Sequence, residues 1–336
     1  MMVEAIARSD LGSFSSELVG SLLALVAKET DGTEARDVVF RGEHSNDLVE
    51  IRYADGRALM VKRGRYDWVA ARFETSRVAS ELMRNRARIT APEPLTLPAD
   101  LDEQPLEAYW RIPLPTLQEV WPRLSADARA EVLRSWGELI RRVHEVKLSG
   151  HGALLGAQRE PLRLTDFLEG DLAGRLRPAV IGMWPAALGI LDQLIEAIPE
   201  VAARVREGEG TLIHNDLHMG NVLCSVEGDT ARCVGLLDLE AALAGPPEAD
   251  LANVNVMHGP HFAQPLEGSW FEQLRGGYGV EADPVVFAFF RTFHLLNLGF
   301  YSALVGHQEH AQEVADAASD AVMAMEASRN GIRAAA

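Results

Sequence analysis

Residues 211–224 constrain this chain more than any other stretch, because they enclose a polar loop between two short apolar segments. Apolar runs of this kind, bounded by turn residues, predict two strands. A turn at 227–230 then sends the chain back along the second strand and delivers Asp238 beside the loop. We therefore expect a small scaffold that holds Asp216, Asn221 and Asp238 close together.

These three residue types are the ones that phosphoryl transfer requires. One carboxylate orients the attacking hydroxyl and accepts its proton, while a second carboxylate and an amide oxygen hold Mg²⁺, a hard cation. Asp216 and Asn221 are five positions apart, and Asp238 follows at the far end of the hairpin, which is the spacing of a kinase site. The pattern predicts Asp216 as the catalytic base and Asn221 and Asp238 as ligands of Mg²⁺.

The same region resembles the aminoglycoside phosphotransferase and choline kinase-like family in the type, order and spacing of its polar residues. The matching segments are His214-Asn-Asp-Leu-His-Met-Gly-Asn221, Leu237-Asp-Leu-Glu240 and Asp250-Leu-Ala252. Asn215 departs from the family pattern, which has glycine at that position. The resemblance implies a small-molecule kinase that uses ATP or GTP, and it implies that Asp250 braces the catalytic loop.

The resemblance also implies a bilobal, protein kinase-like α+β fold. Residues 1–110 would form a nucleotide-binding N-lobe with a small antiparallel sheet and one helix, and residues 111–336 a mostly helical, catalytic and acceptor-binding C-lobe. A length of 336 residues suits two lobes that share an interface. An Asp-Gly turn predicts a hairpin over residues 48–62, and composition predicts a helix over residues 67–85.

Several residues of this N-lobe are candidates for binding the nucleotide. Lys62 ends the return strand of the hairpin, where its ammonium can bind the α- and β-phosphates. The resemblance implies that a helix Glu holds Lys62 in place; we prefer Glu74 to Glu81, which lies seven positions later on the same helical face. Ser45 and Asn46 resemble the Ser-Asn pair of the family's phosphate loop.

Residues 106–115 occupy the place of the hinge between lobes, which binds the nucleotide base in such kinases. The two prolines of this segment carry no backbone N–H, so the donor has to come from Trp110 to Ile112 or from Leu114. The sequence leaves the choice between adenine and guanine open.

The formal net charge of −17 restricts the class of partner. A nucleic-acid partner is disfavoured, because a phosphate backbone requires a basic protein surface. The excess of carboxylates mildly favours a cationic small molecule, although solubility is the simpler reason for it. We expect the acceptor to be an antibiotic such as an aminoglycoside or a macrolide. A metabolic kinase for choline, homoserine or a sugar, and a nucleotide-binding module without catalysis, stay open as alternatives.

No stretch of the sequence predicts a membrane span or an export signal. The most apolar stretch, residues 284–301, contains three strongly polar residues, which favours a buried helix. The N-terminal apolar run, within a predicted helix over residues 11–28, lacks a basic leader, so we expect a cytoplasmic protein. In that compartment Cys224 and Cys233 would be reduced, buried thiols rather than a cross-strand disulfide.

Two pairs of histidines raise the alternative of a zinc site. His214 and His218 are four positions apart, but the zinc protease pattern needs a continuous helix and a Glu directly after the first His. His258 and His261 have no third ligand nearby in the sequence. We therefore favour the kinase interpretation and expect the second pair to lie in a loop over the acceptor pocket.

Overall fold

The structure is a computed structural model that describes residues 13–27, 30–41, 46–66, 68–98, 100–154, 161–262 and 265–335. Ser45, one of the predicted nucleotide ligands, lies outside these ranges. The described chain consists of an N-terminal sheet with two helices, followed by a mostly helical C-terminal part. This is the predicted α+β architecture of a protein kinase-like fold.

Four antiparallel strands in the order β1-β2-β3-β4 form the N-terminal sheet. They are β1 Ala35–Phe40, β2 Asn46–Tyr53, β3 Ala58–Gly64 and β4 Leu106–Trp110. The predicted hairpin is confirmed, and Gly56 in its turn has a φ of 88°, a conformation that glycine adopts without strain. The two predicted helices are present as α1 Ser16–Val26 and α2 Val69–Leu82, and a π-helical turn at Met83–Ala87 extends the second.

The two faces of the sheet differ in character, because side chains alternate along each strand. Ile51, Leu59 and Val61 are fully buried in the cluster that packs against α1. Lys62 and Glu107 are partners in the β3–β4 register and project from the opposite face, where Lys62 contacts the C-terminal part. The sheet therefore presents Lys62 and Glu107 to the cleft between the two parts of the molecule.

Helices make up most of the C-terminal part. They are α3 Leu117–Val120, α4 Ala126–His144, α5 Leu164–Glu169, α6 Arg177–Met183, α7 Leu188–Arg204, α8 Pro247–Met257, α9 Trp270–Tyr278, α10 Pro284–Leu304 and α11 Gln308–Ala335, with a π-helical segment at Gly170–Leu176. Two apolar clusters hold them together, one around Trp136 of α4 and one around Phe289 of α10. In the part of the chain that the structure describes, no helix combines the length and apolar character needed to cross a membrane.

Short strands position the catalytic segment between these two clusters. One sheet has the order β5-β7-β10-β6, and a separate hairpin pairs β8 with β9. The strands are β5 Lys147–Ser149, β6 Gly152–Ala153, β7 Glu209–Ile213, β8 Val222–Glu227, β9 Thr230–Leu236 and β10 Leu243–Gly245. Cys224 and Cys233 are partners in the β8–β9 register and are both free and buried, as predicted. The polar loop therefore begins where β7 ends and leads directly into β8.

Candidate active site

The loop at 214–221 leaves β7 through a turn that accounts for its departure from the family pattern. Asn215 has a φ of 62°, in the left-handed region that glycine adopts freely. Asn is one of the few other residues that enter this region at low cost. Asn at position 215 therefore suits a backbone conformation that glycine would also adopt freely.

Asp250, in the first turn of α8, braces this loop as the resemblance implied. Its carboxylate accepts the backbone N–H of His214 at 2.8 Å and that of Asn215 at 2.6 Å. It also contacts Nε2 of His144 at 3.1 Å. Burial alone would raise the pKa of Asp250, but the hydrogen bond and charge of His144 lower it overall. The buried carboxylate is thus a fixed acceptor at the start of the catalytic loop.

His214 braces the other end of the same turn through both of its ring nitrogens. Nε2 lies 2.8 Å from the carbonyl oxygen of Leu237, and Nδ1 accepts the backbone N–H of Asp216 at 3.3 Å. A carbonyl can only accept, so Nε2 carries the proton in this arrangement. His214 therefore orients the segments that carry Asp216 and Asp238 without contributing a metal ligand.

Two more histidines of the pairs considered for zinc, His218 and His258, also accept backbone N–H groups of this loop. Nδ1 of His218 accepts the backbone N–H of Gly220 at 3.1 Å, and Nε2 of His258 accepts that of Met219 at 3.3 Å. Within the described ranges, no group of three His, Cys, Asp or Glu side chains is arranged to hold a metal ion. These contacts favour the kinase interpretation over a zinc site.

The structure brings the three residues predicted for phosphoryl transfer together. Asp216 and Asp238 line one cavity of about 1130 Å³. Asn221 lies beside them. Its side-chain Nδ2 donates to the backbone carbonyl of Asp216 at 3.0 Å, and its backbone carbonyl accepts the N–H of Leu237 at 2.8 Å. Because Asn221 is bonded both to the loop and to the residue before Asp238, it fixes the two carboxylates relative to each other.

The environment of Asp216 makes it a stronger proton acceptor than an ordinary Asp. Burial raises the pKa of this carboxyl, and the neighbouring charge of Asp238 adds to the increase. His214 and His218 act in the opposite direction but do not cancel it. A general base is more effective when its pKa approaches the working pH, so the shift suits a group that takes a proton from a hydroxyl.

Lys62 reaches across the cleft to residues of the C-terminal part. Its Nζ lies 2.8 Å from Oδ1 of Asp238 and 2.6 Å from Oε1 of Glu240. The carboxylate of Glu240 also accepts Nδ2 of Asn46, the first residue of β2, at 2.9 Å. Burial alone would lower the pKa of Lys62, but Asp238 and the other anionic neighbours raise it well above its usual value. The ammonium is therefore charged at neutral pH.

The prediction that Glu74 holds Lys62 is wrong. The carboxylate of Glu74 pairs instead with Arg77 at 2.7 Å, and its side chain is 40% exposed. The helix α2 buries small residues such as Ser76, and Glu74 and Glu81 both lie away from its buried positions. The helix therefore provides no carboxylate for Lys62.

Two acids that the sequence analysis did not assign take this place. Glu240 binds the ammonium directly, and Oε2 of Glu107 lies 4.0 Å from Nζ of Lys62. Both carried a signal in the sequence: Glu240 closes the segment 237–240, and strand alternation places Glu107 on the same sheet face as Lys62. The helix pattern alone could not identify either acid, because Glu107 lies on strand β4 and Glu240 lies in the turn Leu239–Ala241.

The carboxyl of Glu107 is buried, and its contacts with Lys62 and Ser76 offset the cost of burying its charge only in part. The stability of the protein should therefore depend on pH. Burial raises its pKa from 4.5 to about 7, against the attraction of Lys62 and a hydrogen bond with Ser76. A pKa raised by folding stabilises the protein at low pH, and this stability is lost as the pH rises through the folded value. Between about pH 4.5 and pH 8, we expect wild type to lose about 3 kcal/mol relative to Glu107→Gln.

Urea unfolding of both proteins at several pH values measures this difference. Glu74→Gln is the matched control, because its carboxylate is partly exposed and its pKa is lowered rather than raised. Its free energy of unfolding should run parallel to that of wild type across the same range. A parallel course for Glu107→Gln as well would show that Glu107 is ionised in the folded protein throughout.

The predicted hinge residues do not line the cavity, according to the described lining residues. The ring of Trp110 packs on that of Tyr53 at 5.6 Å, on the face that α1 covers. The N–H groups of Arg111 and Leu114 are already bonded to backbone carbonyls, at 2.8 Å each. The N–H groups of Arg111 and Leu114 are therefore occupied within the protein. That the backbone of Trp110 or Ile112 binds the nucleotide base stays a prediction.

Comparison with known proteins places this geometry in context. Residues 38–290 match the family model described as the phosphotransferase enzyme family. No curated protein matches the sequence. Solved structures match over most of the chain, at identities that show the fold alone.

Three of these structures illustrate the range of relatives. A thermostable mutant of aminoglycoside phosphotransferase APH(4)-Ia in complex with ADP and hygromycin B is 16% identical, with a TM-score of 0.66, covering 90% of this chain and 98% of that one. Macrolide 2'-phosphotransferase MphH from Brachybacterium faecium is 19% identical, with a TM-score of 0.55 and coverage of 88% and 96%. A putative fructosamine-3-kinase from Thermobifida fusca YX-ER1 is 20% identical, with a TM-score of 0.60 and coverage of 89% and 99%.

Proposed function

The chain belongs to the phosphotransferase enzyme family and is a small-molecule kinase, and from this premise we propose that it transfers the γ-phosphate of ATP to a hydroxyl group of an antibiotic. The observation that carries the proposal is the position of Asp216. A loop braced by Asp250 and His214 holds its carboxylate at the wall of the cavity that Lys62 and Asp238 also line. Positioned groups of this kind account for most of the rate enhancement in phosphoryl transfer.

In the proposed reaction, the carboxylate of Asp216 accepts a hydrogen bond from the hydroxyl group of the acceptor. This bond directs the hydroxyl oxygen at the γ-phosphorus of ATP. The bond from that oxygen to phosphorus forms as the bond to the leaving ADP oxygen breaks, and Asp216 takes the hydroxyl proton. The raised pKa of Asp216 supports this role. The hydrogen bond from its own N–H to His214 limits the freedom of the backbone during the step.

Lys62 binds the α- and β-phosphates in this proposal. Its ammonium would exchange Asp238 for phosphate oxygens, while Glu240 and Glu107 keep it in place. Nδ2 of Asn46 donates to Glu240, so the start of β2 would lie near phosphates that bind to Lys62. Ser45, Trp110 and Ile112 remain the predicted contacts of the phosphates and the base. ATP is supported over GTP by the ADP and AMP-PNP bound to APH(4)-Ia mutants.

Asn221 and Asp238 would hold Mg²⁺, and the chemistry of the site fits this ion. The carboxylates of Asp238 and Glu240 already bind one cation, the ammonium of Lys62. Nδ2 of Asn221 is used by the carbonyl of Asp216, which leaves the amide oxygen as the atom that suits a hard cation. When bound there, Mg²⁺ would neutralise negative charge on the phosphates during the transfer.

We expect Asp238→Asn to reduce turnover by roughly 10²–10³-fold, the usual cost of losing one group that stabilises charge in the transition state. A titration of Mg²⁺ against ADP release measures this effect, and chelation by EDTA should abolish release by wild type. Asp55→Asn, in the distant β2–β3 turn where Asp55 pairs with Arg57, is the control and should behave as wild type. Unchanged turnover and Mg²⁺ dependence in Asp238→Asn would remove Asp238 from this role.

The acceptor is identified by measuring ADP and GDP release with a panel of hydroxyl compounds. The panel contains aminoglycosides, macrolides, peptide antibiotics, choline, homoserine and sugars. An aminoglycoside or macrolide acceptor is supported by the names of two structural neighbours. A metabolic kinase is the second candidate, supported by the putative fructosamine-3-kinase among the neighbours. Nucleotide binding without transfer to any compound would instead favour a binding module.

A further inference from the structure

The acceptor side of the cavity has an apolar wall. Beyond Asp216, the wall is formed largely by aromatic and aliphatic side chains from α5, α8, the segment after α8, and α10. The largest of them are Phe167, Met257, Phe262, Phe290, Phe293 and Tyr301. Most of these side chains are partly exposed to the cavity rather than sealed in the core. Aromatic walls of this kind bury large apolar ligand surfaces.

The charges around the cavity do not provide a surplus for a polycation. The described lining residues include four carboxylates and four Lys or Arg side chains, although the whole chain has 49 acidic and 32 basic residues. Three of these carboxylates, Asp216, Asp238 and Glu240, belong to the phosphoryl-transfer site. The fourth, Asp171, is paired with Arg175 at 2.6 Å. The net charge of −17 is therefore not concentrated where an acceptor would bind.

Three polar side chains of this wall, Asn253, His294 and Asn297, already have partners within the protein. Oδ1 of Asn253 accepts the N–H of Leu217 at 2.7 Å, and Nδ2 of Asn297 donates to the carbonyl of Phe293 at 3.0 Å. His294 lies 3.0 Å from the carbonyl of Ala249, and burial lowers its pKa to about 4, so it is neutral. A ligand rich in amines or hydroxyls would find few free partners here, and burying such groups unpaired is costly.

We propose that the acceptor is a largely apolar ring compound with at most one positive charge, and that it lies against the aromatic wall with a single hydroxyl directed at Asp216. This inference rests on the proposed function and specifies its substrate class. Hydrophobic contact with Phe293 and Tyr301 provides the binding energy, and Asp216 selects the hydroxyl. A polycationic amino sugar fits this wall poorly, because its ammonium groups would be buried without carboxylates.

Calorimetric titration of the full chain, saturated with AMP-PNP and Mg²⁺, tests the proposal directly. The apolar probes are erythromycin, rifampicin and chloramphenicol, and the polycationic probes are kanamycin and hygromycin B. We expect at least one apolar probe to bind ten or more times as tightly as either polycation, with the negative heat-capacity change of apolar burial. Tighter binding of a polycation, or no binding of any apolar probe, overturns the proposal.

Tyr301 and Leu304 provide a matched pair of variants on α10. Both side chains are 51% exposed, and Tyr301 lines the cavity whereas Leu304 is not among the described lining residues. We expect Tyr301→Asp to weaken the apolar probe about tenfold and to strengthen kanamycin, while Leu304→Asp changes neither by more than about twofold. Equal effects of the two substitutions on the apolar probe overturn the proposal.

The same titrations, followed by an assay of ADP release in which ATP replaces AMP-PNP, separate this inference from the proposed function. Binding of AMP-PNP and transfer of phosphate to a polycation would sustain the kinase function and refute the apolar acceptor. Failure to bind AMP-PNP would refute the kinase function itself. Thermal unfolding of each variant, measured in parallel, confirms that a loss of binding reflects the cavity wall and not an unfolded protein.

Discussion

Replacement of Asp216 by Ala is expected to reduce the turnover of an accepted substrate by roughly 10²–10⁴-fold, the usual contribution of a positioned general base. The reason is local: the carboxylate lines the cavity beside Asp238, and burial raises its pKa. The loss should appear in kcat, because the group acts on the reacting hydroxyl. Affinity for AMP-PNP should stay near that of wild type, since Lys62 and not Asp216 is proposed to contact the phosphates.

Asp216→Asn separates the chemical role from the shape of the side chain. The amide has nearly the same volume and can still accept a hydrogen bond, but it cannot take the proton. Both variants should therefore lose similar amounts of turnover, while Asn retains more of the affinity for the acceptor. Rates of ADP release under saturating nucleotide give kcat, and turnover near the wild-type value in either variant would exclude Asp216 as the base.

Asp250→Ala is expected to lower the free energy of unfolding by about 3–5 kcal/mol, the usual cost of removing one member of a buried, hydrogen-bonded network that contains a charge. The carboxylate is fully buried and accepts N–H groups from His214 and Asn215, and it also contacts His144. Removing it leaves these donors without an acceptor. Turnover should fall as well, because Asp216 is two residues beyond His214 in the same loop.

Urea unfolding followed by tryptophan fluorescence measures this loss. Asp250→Asn retains one acceptor oxygen, so its free energy of unfolding should lie between those of wild type and Asp250→Ala. Asp127→Ala is the matched control, because Asp127 is also in the first turn of a helix but is exposed. It should cost no more than about 1 kcal/mol, through the helix dipole. Equal losses in the two Ala variants would contradict the bracing role.

The polar loop at 214–221 shows which features of the site the local sequence pattern can predict. The strand–loop–strand–turn pattern of residues 211–238 is short and strongly patterned, so the hairpin β8–β9 and the approach of Asp238 to Asp216 followed from it. The bracing role of Asp250 was expected from the family resemblance, and the contacts of its carboxylate with the N–H groups of His214 and Asn215 agree with it. Even the departure at Asn215 is consistent, since its φ of 62° suits few residues besides glycine and Asn.

The partner of Lys62 depends on tertiary contacts between elements that are far apart in the sequence. Glu74 and Glu107 both belong to the N-terminal part of the chain, and the sequence does not rank them as partners of Lys62. Only the packing of α2 against the sheet shows which carboxylate faces the ammonium. The helix presents small residues such as Ser76 to the sheet, which leaves Glu74 beside Arg77. The acids near Lys62 come instead from β4, which carries Glu107, and from the turn Leu239–Ala241, which carries Glu240. A helical periodicity defines a face but does not state which element that face meets.

The sequence by itself therefore determined the catalytic loop, the order of its acids and the family, because these depend on residues within one hairpin and its flanks. The tertiary structure alone decided which carboxylates surround Lys62 and what kind of wall faces Asp216. Both depend on side chains from elements far apart in the chain, among them β4, α5 and α10. The net charge of −17 belongs to the whole chain, whereas the apolar wall and balanced charges of the cavity exist only once the chain has folded.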